Sequence, residues 1–257
     1  EFALGLKTNF YFGNLYDINE LTYSTAELVN GYETKNKIKS FNFTLGSAYQ
    51  KKLAKDRKLT LGATYTFGNT GKMETLYTNS TYFYLPGQEK TNVSIIDQNF
   101  SKDKNLIPME FSLGAGLGKD AKWFLGTQFD FKKGETIQFL GLPFANQNSY
   151  KVAAGGWYIP NYNNFRNYFS RVTYRYGAYY EKGNLSLNGT DVNQFAITGG
   201  LTLPFENRSA NRMSGIDIGV ELGQRGALKN NLVRQNFVNL KIAINFADKW
   251  FMKRLYD

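Results

Sequence analysis

The chain is 257 residues long, carries a net charge of +10, and contains neither Cys nor His. Without Cys there are no disulfides, thiolate nucleophiles or thiolate metal sites, and without His the commonest general base and imidazole ligand are gone. The mean hydropathy is negative and no run of about 18 apolar residues occurs, which excludes membrane-spanning helices but leaves membrane-spanning strands open.

Apolar and polar-or-small residues alternate in ten segments: 1–13, 36–50, 57–69, 106–118, 121–132, 148–159, 167–182, 192–204, 214–225 and 234–247. The third is the plainest, with Leu59, Leu61, Ala63, Tyr65 and Phe67 on one face and Thr60, Gly62, Thr64 and Thr66 on the other. Period-two alternation marks strands whose two faces meet different media. Segments of about ten residues, repeated to the end of the chain, suit an antiparallel transmembrane β-barrel.

The connections alternate in length, as they do in bacterial outer-membrane barrels. Lys51–Asp56, Gly118–Ala121, Pro160–Arg166 and Phe205–Met213 are read as the periplasmic turns; Asn14–Lys35, Thr70–Asn105, Lys133–Asn148, Gly183–Asp191 and Gly226–Val233 are read as the outer loops. If the first strand runs outward, ten strands return the C-terminus to the periplasm. The segment 72–85, with Tyr77, Tyr82, Phe83 and Tyr84, also reads as a strand. Counting it as spanning would break that parity, so it is expected above the membrane as a hairpin-like extension of the longest loop. The expected organisation is one barrel domain over 1–257 with a periplasmic tail at 248–257.

Facing follows from the alternation. Ile216, Ile218, Val220 and Leu222 oppose Asp217, Gly219, Glu221, Gly223 and Arg225; Val238, Leu240, Ile242, Ile244 and Phe246 oppose Asn239, Lys241, Ala243 and Asn245. Charge in a bilayer core costs several kcal/mol unless sheltered, so the polar sets point inward. Arg171, Arg175, Asp217, Glu221, Arg225 and Lys241 are therefore candidates for a polar network in the lumen. They would fix the barrel's shape or bind a hatch, or Arg175 or Lys241 would hold a substrate carboxylate. Asp217 and Glu221 lie about 13 Å apart along one strand, too far for paired acid–base work. No group assembles into a catalytic or metal site, and neither an enzyme nor a cofactor is expected.

Trp250 and Phe251 follow the last strand and suit anchors at the membrane boundary. The positive charge would draw the protein to the phosphates of lipopolysaccharide, or would simply keep the loops solvated. Nucleic-acid binding has no supporting motif.

Several stretches resemble the FadL-type family of outer-membrane hydrophobic-compound transporters: Tyr168–Gly177 followed by Tyr180-Glu181-Lys182, then Ile197–Pro204, Gly219–Gly226, Asp248–Phe251 with Lys253-Arg254, and, more weakly, Trp123–Asp130. The resemblance implies a fourteen-stranded barrel with an N-terminal hatch, of which this chain would supply the C-terminal part. It also implies passive uptake of hydrophobic small molecules such as fatty acids. On that reading Tyr82, Phe83 and Tyr84, with Phe139, Leu140, Leu142 and Phe144 of the apolar stretch 137–144, are candidates for a ligand-capture surface; aromatic-girdle and loop packing is the plainer account of them. The alternative is a non-transporting barrel subunit of an outer-membrane secretion or assembly complex, with other outer-membrane proteins as partners.

Overall fold

The computed structural model describes residues 1–24, 26–87, 89–139, 142–164, 166–187, 189–205 and 214–245. Strands β1 (Phe2–Tyr23), β2 (Ala26–Leu53) and β3 (Arg57–Thr66) open the chain, followed by β4 (Asn69–Tyr84), β5 (Lys90–Ile107), β6 (Glu110–Lys119) and β7 (Trp123–Lys132). Next come β8 (Thr136–Phe139), β9 (Leu142–Ala145), β10 (Ser149–Tyr158), β11 (Thr173–Leu187), β12 (Thr190–Pro204), β13 (Gly215–Arg225) and β14 (Gln235–Asn245). Twelve strands form one antiparallel sheet, and β8 and β9 make a separate hairpin. No α-helix occurs among the described residues.

The main path runs β14-β13-β12-β11-β10-β7-β6-β3-β2, with β1 on the far edge of β2. These ten strands correspond to the ten alternating segments. The count of twelve differs because β4 and β5 belong to the same sheet. The lower part of β2 pairs with β3 over Thr44–Leu53, while its upper part pairs with β4 over Val29–Lys39. The chain thus leaves β3, climbs as a β4/β5 hairpin beside upper β2, and returns to pair β6 directly with β3.

The stretch 14–35, expected as a loop, is instead the continuation of β1 and β2, in unbroken register from Phe2↔Tyr49 to Thr22↔Val29. Backbone pairing across a hairpin continues wherever both strands can stay extended, whatever the polarity of their side chains. The sheet is not closed: β1 and β14 are not paired with each other.

Register carries the alternation from strand to strand. One face presents Phe10, Phe41 and Phe43, then Tyr65 opposite Phe111, Phe131 opposite Tyr150, and Val152 opposite Tyr180. It continues through Ile197, Leu222 and Val238, and its apolar side chains are exposed, up to 84% for Phe12. Near the hairpin end of this face the rings touch in pairs, Phe10–Phe41, Phe41–Phe43, Tyr65–Phe67 and Phe111–Phe131. At the opposite end Trp123, Tyr158 and Tyr174 sit opposite one another across β7, β10 and β11. Trp123 and Phe131 are eight residues apart on β7, or about 26 Å along the strand. Two aromatic bands therefore border an apolar strip.

Candidate functional site

The other face gathers the charge. Arg175 on β11 reaches Asp217 on β13 across β12, with Nη2 3.6 Å from Oδ1. Between them, Thr202 of β12 donates to Asp217 Oδ1 at 2.5 Å, and Asn245 of β14 donates to Oδ2 at 2.5 Å. Thr202 is paired directly with Asp217 and with Thr173, so the register puts the hydroxyl beside the carboxylate.

Four residues along β13, Glu221 repeats the pattern. It accepts from Tyr179 Oη at 2.6 Å and from Asn239 at 3.4 Å, and Lys241 Nζ lies 3.6 Å from Oε2. Gln194 donates to Tyr179 Oη at 2.5 Å, and the Lys151 ammonium stands 4.2 Å above the Tyr179 ring while facing Glu181 at 3.9 Å. Both carboxylates are held from several strands, whereas Arg175 and Lys241 keep much of their surface exposed. A cavity of about 310 Å³ lies between the two clusters, floored by Gly200 and Gly219 and edged by Arg175, Asp217, Glu221 and Lys241. Such a cleft suits a polar segment offering both hydrogen-bond donors and acceptors.

Of the six lumen candidates, then, Arg175, Asp217, Glu221 and Lys241 come together. Arg171 does not join them. It follows a short 3₁₀ turn at Tyr168–Ser170, and its guanidinium lies 5.6 Å from the Tyr168 ring centre. That turn belongs to an Asn-rich loop in which Asn161, Asn164 and Asn167 accept from backbone N–H groups two or three residues ahead, a local bonding that competes with strand pairing. Arg225 ends β13 beside a separate cavity of about 510 Å³ shared with Glu181, Gln194 and Leu232. Gly226 then turns the chain at φ 87°, where a Cβ would come within 2.4 Å of the Val233 carbonyl oxygen. Alternation places Tyr179 and Asn245 on the inward face without a role and does not single out Thr202 or Gln194; what all four do depends on cross-strand register.

Tyr82 is 1% exposed. Its ring crosses β2 over Gly31, and its hydroxyl donates to Glu20 of β1; the Tyr84 hydroxyl donates to the same oxygen at 2.6 Å. Lys90 completes this knot, 3.4 Å from Glu20 and 4.2 Å from the Tyr82 ring centre. The two phenols and the ammonium hold the Glu20 carboxyl below its ordinary 4.5. Burial and the bond to Glu20 push the Tyr82 phenol up to about 12, and the bond to Glu20 above all does the same for Tyr84. Phe83 is half-buried. Phe139, Leu142 and Phe144 lie in the β8/β9 hairpin; Leu140, Trp250 and Phe251 fall outside the described residues.

The sequence model of the BamG family, a component of the BAM outer-membrane assembly complex, matches residues 1–257. No curated protein matches the chain. The match overturns the likeness to the FadL-type transporters and, with it, the uptake function drawn from that likeness. The motifs behind it are alternating aromatic, basic and small residues, which the demands of an outer-membrane strand impose whatever the protein does. The family implies a bacterial outer-membrane or outer-membrane-associated location and association with other outer-membrane assembly proteins. The chain belongs to the BamG family.

Proposed function

We propose that the chain is a non-transporting β-barrel subunit of an outer-membrane protein assembly complex. The observation that carries this is the family match over the full 257 residues. The physical chemistry supports it. An apolar strip about 26 Å along the strands, or about 20 Å in height at a strand tilt near 40°, lies between two aromatic bands and is close to the lipid-facing zone of a barrel wall, about 25 Å tall. Bilayer hydrocarbon leaves no backbone donor or acceptor without a partner, so β1 and β14 must each meet a strand and the wall must close.

The hairpin extensions stand at the end where long loops occur, the cell exterior. The ten-strand path then brings β14 back toward the periplasm. The inner face offers fixed ion pairs and small residues rather than an apolar channel. A subunit that serves by shape benefits from such a rigid wall, whereas a conduit for hydrophobic molecules would need an apolar one.

The test is gentle detergent extraction of the full-length protein from its own outer membrane, followed by native mass spectrometry. A stoichiometric complex with other outer-membrane assembly proteins, free of bound fatty acid, is expected. A solitary protein carrying fatty acid would refute the proposal.

A further inference from the structure

Directly above the apolar strip, on the same face, the sheet turns basic within one residue pair. Phe10 is opposite Phe41, and two positions higher Phe12 is opposite Lys39. Lys37 and Lys35 follow on β2 at the same two-residue period, Lys39 is paired with Lys72 of β4, and Lys102 of β5 stands across from Glu74. Side chains directly opposite one another lie about 5 Å apart, and like charges placed there repel.

Among the described residues eight other lysines sit within 4.0 Å of a carboxylate, namely Lys58, Lys90, Lys119, Lys132, Lys133, Lys151, Lys182 and Lys241. None of the five lysines in this row does. Two carboxylates lie among them, Glu74 between Lys37 and Lys102 and Glu33 above Lys35, but five cations outnumber two anions. Two of the ammonium groups rest near aromatic faces instead, Lys35 at 5.1 Å from the Tyr16 ring centre and Lys102 at 5.6 Å from that of Phe100.

Lys52 and Lys58 are also opposed, but there Lys58 reaches the carboxylate of Asp120. Here the opposing pair Lys39 and Lys72 is left for an anion from outside, at the height where lipid headgroups begin. We propose that Lys35, Lys37, Lys39, Lys72 and Lys102 form a binding row for the phosphate groups of an outer-leaflet glycolipid. This rests on the reading of the apolar strip as the lipid-facing wall. The acyl chains lie along the strip below, and the phosphates sit between β2 and β4, offsetting the Lys39–Lys72 repulsion. A row fixed on paired strands spends less ordering entropy than lysines on a loose loop.

The experiment is native mass spectrometry of the full-length protein in detergent micelles, titrated with bis-phosphorylated lipid A or with the same lipid after phosphatase treatment. Inorganic phosphate serves as a competitor. The wild type should retain the phosphorylated lipid and hold the dephosphorylated form far more weakly. The triple variant K37Q/K39Q/K72Q should lose roughly 100-fold in affinity, at about fivefold per lysine facing an anionic surface. K132Q, which removes a lysine paired with Glu110, should match the wild type; equal loss there would refute a specific row. Equal retention of both lipids would overturn the lysine row while leaving the lipid-facing wall intact. Retention of neither would overturn both. Displacement by inorganic phosphate at the lipid's own concentration would make the row a general anion site and overturn the lipid assignment.

Discussion

At the residue scale the knot around Glu20 shows how one small side chain makes room for a long-range contact. Gly31 lies opposite Glu20, and an added Cβ would come within 2.6 Å of the Tyr82 ring. Gly31→Ala should therefore push the phenol off Glu20, and Tyr82→Phe removes its bond alone. Each should loosen the β4/β5 hairpin by about 1–2 kcal/mol, the low end for a hydrogen bond to a charged group because this one is only part-buried. The readout is about tenfold faster amide exchange in 72–82, with the amides of β12 unchanged.

The pH dependence has a definite sign. The Glu20 carboxyl is lowered on folding, so its stabilisation is present above about 4.5 and is lost as pH falls through the folded value. The phenols of Tyr82 and Tyr84 are raised from 10.0 to about 12, so their share is full below 10.0 and is lost as pH rises through about 12. Ultraviolet titration should find Tyr82 and Tyr84 among the phenols that ionise well after the exposed ones, and one fewer late phenol in Tyr82→Phe. Sequence pointed to Tyr82 and Tyr84 as an aromatic cluster. It could not point to Glu20, 62 positions away from Tyr82, because nothing local in either segment names the other.

At the element scale β13 is the organising strand of the polar face. Asp217 and Glu221 each draw partners from β11, β12 or β14, and their places were readable from the period-two pattern around Val220. The uncharged partners were not readable. Thr202, Tyr179 and Gln194 matter only because the registers of β11 and β12 set them beside those carboxylates. The two carboxylates differ from their cations in consequence. Glu221→Ala leaves Tyr179, Asn239 and Lys241 without their shared acceptor and should cost about 2–3 kcal/mol. Lys241, 78% exposed, is one of several partners, and Lys241→Ala should cost under about 1 kcal/mol. Urea unfolding in lipid vesicles gives both values, and a larger loss for Lys241→Ala would contradict this ranking. Arg171 marks the limit of pattern reading: it alternates correctly with Val172, yet an Asn-rich turn takes it out of the strand.

At the scale of the whole molecule the sequence disclosed the class of fold through its periodicity, ten times over. It disclosed the family less well, because strands under one physical constraint converge on similar residues. It also missed the height of β1 and β2, since polar residues in extended hairpins look like loop. What the assembled sheet adds is a continuous apolar face with a fixed parity, and that parity can be tested on neighbouring residues of one strand. Leu240 stands on the apolar face between Val220 and solvent, 64% exposed, while Asn239 next to it faces Glu221 on the other side. If the apolar face meets lipid, Leu240→Arg places a cation in hydrocarbon and should cost about 2–4 kcal/mol, falling toward zero nearer the boundary. Asn239→Arg adds a cation beside a carboxylate and should cost well under about 1 kcal/mol. Folding into vesicles of defined lipid measures both. In detergent micelles, which deform and wet readily, the gap should narrow. Equal costs in vesicles would mean that Leu240 does not meet hydrocarbon, and the assignment of the apolar face to lipid would fall.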